Sequence, residues 1–142
     1  MLLKDTHRVG SLQRLQLSWD IYISSIPTEI GMFTNLDTLY LNNIMGGTIP
    51  SELGLLQSLT SLILIESDLS GTFPVEVNSL PNLGDLVVEN VPLLSGPIPF
   101  DLVFSPALTS LKIMNTSMTG IVPSERQGSL DYWFLDDKHI GL

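Results

Sequence analysis

The sequence contains no cysteine among its 142 residues. It therefore has neither a disulfide framework nor a thiolate metal site, and thiols give no indication of the compartment in which it folds. Basic residues are few, since six Lys and Arg stand against fifteen Asp and Glu and give a formal net charge of −9. Such a chain repels phosphate backbones and anionic lipid, so nucleic acid is a poor candidate partner.

Long hydrophobic runs are also missing. The uncharged stretches are interrupted by Gly and Pro, and the opening Met-Leu-Leu is followed at once by Lys4 and Asp5. We therefore expect no signal peptide, no membrane span and no direct membrane insertion by these residues. A hydrophobic content of 44% is nevertheless sufficient for a folded core.

Side chains suited to catalysis or metal binding are sparse. The two histidines, His7 and His139, lie far apart in the sequence, and we expect both to be solvated. Asp136, Asp137 and Glu125 have no desolvating aromatic box, no partner fixed by the repeat and no calcium-loop spacing, so we interpret them as solvated charges. Because no nucleophile, base and orienting group are brought together by their spacing, the sequence predicts no enzyme activity, no cofactor and no metal site.

An internal repeat is the dominant feature of the sequence. An Ile-Pro-like pair recurs with prolines 23, 24, 25 and 24 residues apart, at Pro27, Pro50, Pro74, Pro99 and Pro123. Nine residues after each of the first four prolines, a leucine opens the pattern L-x-x-L-x-L, as at Leu59, Leu62 and Leu64. The same pattern begins earlier at Leu12, and a last copy begins at Leu130, two residues early.

Each copy of the repeat predicts one short strand followed by a turn. The two leucines of L-x-L alternate with period two, so they point inward while the residues between them face outward. One such strand is too short to be stable alone, but strands stacked about 4.8 Å apart pair their backbones and merge their leucines into one core. The residues after each proline have apolar positions three apart, which favours a short 3₁₀ or α turn on the outer side.

Two further positions recur between the strand and the proline. Short polar side chains that can bond the backbone lie seven residues before the proline, at Asp20, Asn43, Ser67 and Thr116. Glycines that favour a tight bend lie three residues before it, at Gly47, Gly71, Gly96 and Gly120. The second copy is one residue short between Leu39 and Pro50, and the fourth is one residue long with Pro92 at the polar position, so we expect irregularities in both and a kink near Asn90 to Leu94.

The repeat resembles the plant-type class of leucine-rich repeats, whose consensus is L-x-x-L-x-L-x-x-N-x-L-x-G-x-I-P-x-x-L-G-x-L-x-x. Residues 59–81 match it almost position for position, with Ser67 at the Asn site and Phe73 at the Ile site. The resemblance covers about residues 9–135. It implies a solenoid of the α/β class, mostly β, with about five to six rungs of ~24 residues. Its parallel β-sheet would form the concave face, with short 3₁₀ or α turns and loops on the convex side and a second short strand before each Ile-Pro.

The predicted organisation is a single domain over residues 1–142. A partial N-terminal rung spans 1–11, repeats span about 12–35, 36–58, 59–82, 83–107 and 108–129, and an incomplete last rung spans 130–142. Neither end carries the cysteine-paired cap that is usual in this class. We therefore expect a fragment of a longer solenoid, with a short self-sufficient domain as the alternative.

Exposed strand positions of such a solenoid form columns on the concave face, where ligand contacts are expected. They predict an apolar centre made of Tyr40, Ile63, Ile65, Val87 and Met114. Polar and charged residues share or border these columns: Arg14, Gln16, Asp85, Glu89 and Lys112. Trp19 and Glu66 extend the surface just past the strands. Because β-branched residues also favour strands for conformational reasons, a purely structural role of the apolar centre stays open.

The resemblance implies a non-catalytic recognition module, similar to the ectodomains of leucine-rich-repeat receptor-like kinases, that binds a protein or peptide through its concave face. Two alternatives remain: a secreted enzyme inhibitor of the polygalacturonase-inhibitor type, and a purely structural segment of a longer solenoid. The same resemblance implies an extracellular or cell-surface location in a longer parent protein. There, the triplet Asn115-Thr116-Ser117 would make Asn115 a glycosylation site.

Overall fold

The computed structural model describes residues 9–18 and 23–136. Its strands are β1 (Arg14–Leu17), β2 (Thr38–Asn42), β3 (Ser61–Ile65), β4 (Gly71–Thr72), β5 (Asp85–Pro97), β6 (Ser110–Thr119) and β7 (Tyr132–Leu135). Short 3₁₀ helices span Val9–Ser11, Thr28–Met32, Ser51–Leu55 and Val75–Ser79, and α-helical turns form α1 (Phe100–Val103) and α2 (Ser124–Gln127). The prediction of a helical turn directly after each proline is confirmed.

All of these strands belong to one parallel sheet with the order β1-β2-β3-β5-β6-β7, and β4 pairs with β5 beside this path. Neighbouring strands keep the repeat in register. Leu39 pairs with Leu62, Leu62 with Leu86, and Leu86 with Leu111. Each rung is therefore one strand plus one crossover, as the repeat predicts, and the chain forms the predicted solenoid.

The core is a stack of aliphatic side chains that runs the length of the solenoid. Leu62 and Leu64 of β3 are fully buried, and so are their partners Leu86 and Val88 in β5. At the N-terminal end the leucines of β1 are only half-buried, because no strand covers them on one side among the described residues. The L-x-L aliphatic residues of the strands with a rung on each side are thus fully buried, whereas those of β1 are not.

The second short strand implied by the resemblance is present on one side of the solenoid. β4 pairs with the later part of β5, which in turn pairs with the later part of β6. Serine hydroxyls in this region donate to carbonyl groups one rung earlier, as Ser70 does to Gly47 (3.1 Å) and Ser95 to Gly71 (3.0 Å). Gly71 has φ +78°, a left-handed conformation in which glycine is favoured, so the predicted reason for the recurrent glycine is confirmed.

The irregularity expected in the fourth repeat is also confirmed. The register between β5 and β6 shifts between Val91 and Ser95, within the segment for which the sequence predicts a kink. Strand pairing resumes after the shift, and Pro92, Leu93 and Leu94 lie opposite no residue of β6, so the irregularity is a three-residue bulge that does not break the sheet. In the short second repeat, a single bridge between Thr48 and Ser70 takes the place of a second strand.

The predicted polar position is wrong in two repeats. Ser67 and Thr116 occupy it as expected: Ser67 Oγ donates to Ile65 O (2.8 Å) and accepts from Ile44 N (3.1 Å). In the second repeat, however, Ile44 stands at that position and is buried, whereas Asn43 has φ 60°. Counting back seven residues from Pro50 gave Asn43, one residue too early. This repeat is one residue short, and the deletion lies between the end of the strand and the proline.

The same error applies to the fourth repeat. Val91, paired with Thr116, occupies the buried position there, and Pro92 is exposed. The residue preceding this position has a positive φ in four repeats, with values between 49° and 60°, at Asn43, Glu66, Asn90 and Asn115. This left-handed residue directly follows β2 and β3, whereas it lies within the longer strands β5 and β6. Asparagine tolerates the left-handed conformation better than most residues.

Candidate ligand-binding face

The middle residue of each L-x-L segment faces outward on the concave side and forms what we call the central column. Register pairs Gln16 with Tyr40, Tyr40 with Ile63, and Ile63 with Val87. Tyr40, Ile63 and Val87 are each partly exposed, while the leucines on either side of them are buried. The structure therefore brings three predicted apolar residues together on adjacent strands.

A second column, here called the outer column, lies two residues further along the strands. It runs from Asn42 through Ile65 and Glu89 to Met114, with each residue paired to the next. Ile65 neighbours the apolar part of the central column, but Met114 is separated from Ile65 by Glu89. The predicted apolar centre is thus contiguous over Tyr40, Ile63, Ile65 and Val87, and Met114 lies apart from it.

An ion pair crosses the two columns. Lys112, which follows Val87 in the central column, places Nζ 2.7 Å from Oε2 of Glu89. Both side chains are partly buried, with 24% and 34% of their surface exposed. These residues were expected to border the apolar centre, but they divide the face between Val87 and Met114. The ammonium has three N–H donors, and Glu89 accepts from one of them.

Polar contacts border the apolar part of the face on two sides. Asn42 is only 8% exposed and its Nδ2 donates to the hydroxyl of Tyr40 (3.3 Å), which fixes the phenol above the outer column. On the other side, Ser61 donates to the carboxylate of Asp85 (3.1 Å), and Arg14 lies 3.8 Å from Asp37. The Arg14 side chain is 83% exposed, so that ion pair contributes little to stability.

Comparison with solved structures gives plant proteins of similar architecture. The complex PEPR1–AtPEP1 is 33% identical with a TM-score of 0.72, over 85% of this chain and 17% of that one. The plant peptide hormone receptor RGFR1 in complex with RGF2 is 28% identical with a TM-score of 0.69, over 88% of this chain and 24% of that one. The leucine-rich-repeat ectodomain of the receptor kinase SOBIR1 from Arabidopsis thaliana has a TM-score of 0.73 at 23% identity, over 89% of this chain and 70% of that one.

The chain is a plant-type leucine-rich-repeat protein. It spans a small part of the first two structures, 17% and 24% of their lengths. Comparison with models of known protein families gives no match, and comparison with curated protein sequences gives none either. The likeness to SOBIR1 concerns the fold alone.

Two aromatic residues of the repeat face were missed in the sequence. Phe134 of β7 pairs with Lys112 and therefore continues the central column, and its ring centroid lies 6.0 Å from Nζ of Lys112. Tyr132 pairs with Ser110 at the start of the same strand. They are 50% and 53% exposed. The signal was available, because Leu130, Trp133 and Leu135 mark this rung and the residue between the last two belongs to the central column.

The remaining residues that the sequence analysis named lie outside the two columns or outside the described residues. Asn115 is exposed within β6, between the paired residues Met114 and Thr116, and its Nδ2 donates to Oδ1 of Asn90 (3.0 Å). Asp136 was expected to be a solvated charge, but its Oδ2 accepts a hydrogen bond from the backbone N–H of Asn115 (2.9 Å). Glu125 is exposed, as expected of a solvated charge, and Glu66 is exposed beside the face. The predictions for His7, Trp19, Asp20, Asp137 and His139 lie outside the described residues.

No helix within residues 9–18 and 23–136 has the length and apolar character needed to cross a bilayer. Over the same residues, no group of three or more His, Asp or Glu side chains is close enough together to hold a metal ion. The concave face offers apolar contact, hydrogen bonds and two ion pairs, Lys112–Glu89 and Arg14–Asp37.

Proposed function

We propose that this leucine-rich-repeat segment recognises a peptide or an extended protein segment through its concave face, as part of a cell-surface or extracellular protein. The observation that carries the proposal is the contiguous apolar surface of Tyr40, Ile63, Ile65 and Val87, which stays partly exposed on adjacent paired strands. An apolar centre with polar groups around it is typical of protein-binding sites. One structural neighbour, RGFR1 in complex with RGF2, is a plant peptide hormone receptor, which supports this class of ligand.

The geometry favours a ligand of mixed character. An extended peptide that crosses the strands would place apolar side chains on Tyr40 and Ile63, and it would then meet the Lys112–Glu89 pair. A ligand carboxylate there would compete with Glu89 for Lys112, whereas a ligand cation would compete for Glu89. Because both groups are only partly exposed, such a charged contact would be stronger than one made in bulk water.

The proposal is tested by selecting peptides from a random displayed library against the wild-type chain. The selected peptides are then measured on a double variant, Ile63→Glu with Ile65→Glu, and on the control Val75→Glu. Val75 is 72% exposed on a convex turn, so the control makes the same chemical change away from the concave face. We expect an affinity loss of about tenfold or more in the double variant, because a charge is placed in the apolar contact, and no loss in the control.

Two results would contradict the proposal. Equal affinity for wild type and double variant, with unchanged circular dichroism, would place the peptide site elsewhere. A wild-type chain that selects no peptide would favour the alternative in which this stretch only extends a longer solenoid. The milder pair Ile63→Thr and Ile65→Thr keeps β-branched side chains in the strand, and it distinguishes loss of contact from loss of folding.

A further inference from the structure

A second apolar surface lies on the opposite side of the molecule. Phe100 is the first residue of α1 and Phe104 directly follows this helix; their ring centroids lie 4.6 Å apart, and they are 64% and 46% exposed. Together with Pro97 and Ile121 they line a groove of about 160 Å³ between the fourth and fifth rungs. A cavity of about 150 Å³ is enough to hold a benzene ring, so the groove fits one aromatic or branched aliphatic side chain.

The repeat itself shows that the fold does not require these aromatic rings. The residue directly after the proline is Phe100 in the fourth rung but Ser124 in the fifth, and both rungs form an α-helical turn there. In the second rung Ser51 occupies this position and begins a 3₁₀ turn. The position of Phe104, five residues after the proline, is occupied by Ser79 in the third rung and by Gly128 in the fifth. A groove built from side chains that the turn does not need points to contact with another molecule.

The electrostatics of this side differ from those of the concave face. The second residue after each proline is acidic in every rung, which gives the convex turns a row of carboxylates at Glu29, Glu52, Glu76, Asp101 and Glu125. Of the basic residues within 9–18 and 23–136, Arg14 and Lys112 belong to the concave face. The third, Arg126, donates to the carbonyl groups of Val103, Ser105 (3.0 Å) and Leu108.

Charge complementarity therefore selects the occupant of the groove. We propose that the convex groove between Phe100 and Ile121 is a second docking surface, and that it binds a cationic protein segment that inserts one aromatic or aliphatic side chain. Lysines or arginines flanking the inserted side chain would lie close to Asp101, which follows Phe100 directly, and to Glu125, three residues after the groove residue Val122. A second copy of this acidic chain is repelled from the same surface, and an anionic membrane is repelled likewise.

The test uses a synthetic peptide with one phenylalanine between two pairs of lysines, titrated into the isotopically labelled chain. We expect saturable amide chemical-shift changes at Phe100, Gly120 and Ile121, and weaker binding as salt is added, because the flanking charges are exposed. A peptide with serine in place of phenylalanine should bind about tenfold more weakly. A peptide with glutamates in place of the lysines should show no saturable change.

Variants of the chain complete the test. Phe100→Ser combined with Phe104→Ser copies residues that other rungs carry at these positions, and we expect it to weaken binding of the lysine–phenylalanine peptide about tenfold. The matched control, Val75→Ser, changes an exposed apolar residue on the preceding turn outside the groove and should leave binding unchanged. A second variant, Asp101→Asn with Glu125→Gln, leaves the groove intact and should remove most of the salt dependence.

The proposal is overturned if the peptide gives no saturable shifts at the groove, or if the Phe100→Ser, Phe104→Ser variant binds it as wild type does. Binding of anionic lipid vesicles in place of the peptide would overturn it as well, and so would dimerisation that buries Phe100. Because the Ile63→Glu, Ile65→Glu variant leaves this side of the molecule untouched, it should bind the peptide normally. The two surfaces can therefore fail or succeed independently.

Discussion

Glu66 occupies a left-handed conformation, with φ 49°, directly after β3. The equivalent positions in three other repeats are asparagines with φ between 50° and 60°. The left-handed region costs most L-residues roughly 1–2 kcal/mol, and asparagine less because its short side chain bonds the local backbone. Replacing Glu66 with Asn should therefore stabilise the fold, although it removes a charged side chain and creates no new core contact.

We expect Glu66→Asn to raise the free energy of unfolding by about 0.5–1 kcal/mol. For a chain of this length, such a gain raises the melting temperature by about 2–4 °C. Urea denaturation followed by circular dichroism measures the free energy, and a thermal melt gives an independent value. Neither measurement depends on a ligand.

Charge is the competing explanation, because removing one acidic residue from a chain of net charge −9 also relieves repulsion. Glu66→Gln removes the same charge without the backbone preference of asparagine, so it is the matched control. We expect Glu66→Gln to gain less than half as much as Glu66→Asn. Equal gains in the two variants would refute the backbone argument and leave electrostatic repulsion as the cause.

Three further predictions concern the core, the rung spacing and the sequon. Leu62→Ala should cost about 2–5 kcal/mol because Leu62 is fully buried, whereas Ile63→Ala on the concave face should cost much less; urea denaturation compares the two. Gly54→Ala should cost about 1–3 kcal/mol in the same assay, since its Cβ would lie 2.6 Å from Cβ of Glu76 in the next rung. In a secreted form, wild type but not Asn115→Gln should lose mass on glycosidase treatment.

The fold could be predicted from the sequence because each rung repeats the same pattern of apolar and polar residues. The L-x-L leucines and the residue between them determine which side of each strand is buried, and pairing in register carries that pattern through the stack, as Leu62 and Ile63 show. Positions after the strand were predicted less well. Asn43 was assigned to the buried position of Ile44, because a missing residue between strand and proline cannot be located by counting from one landmark.

The sequence predicted which residues share a column of the candidate site, but not which side chains contact one another across the columns. Register alone placed Tyr40, Ile63 and Val87 together, whereas the pairing of Lys112 with Glu89 depends on side-chain conformations that spacing does not specify. The convex groove was not predicted because the apolar residues after each proline, Phe100 and Phe104 among them, were used only to predict a helical turn. Their exposure follows from the position of α1 against the neighbouring turns, which is a property of the stack and not of the repeat.

The most direct test of the account is a set of long-range nuclear Overhauser effects between methyl groups of neighbouring strands. The account predicts contacts of Leu62 with Leu39 and Leu86 inside the core, and contacts of Ile63 with Val87 on the concave face. A contact of Ile63 with Leu39 and Leu86 in the interior, with Leu62 exposed, would mean that the buried and open sides of the sheet are reversed. That result would contradict both the stacked core and the proposed recognition face.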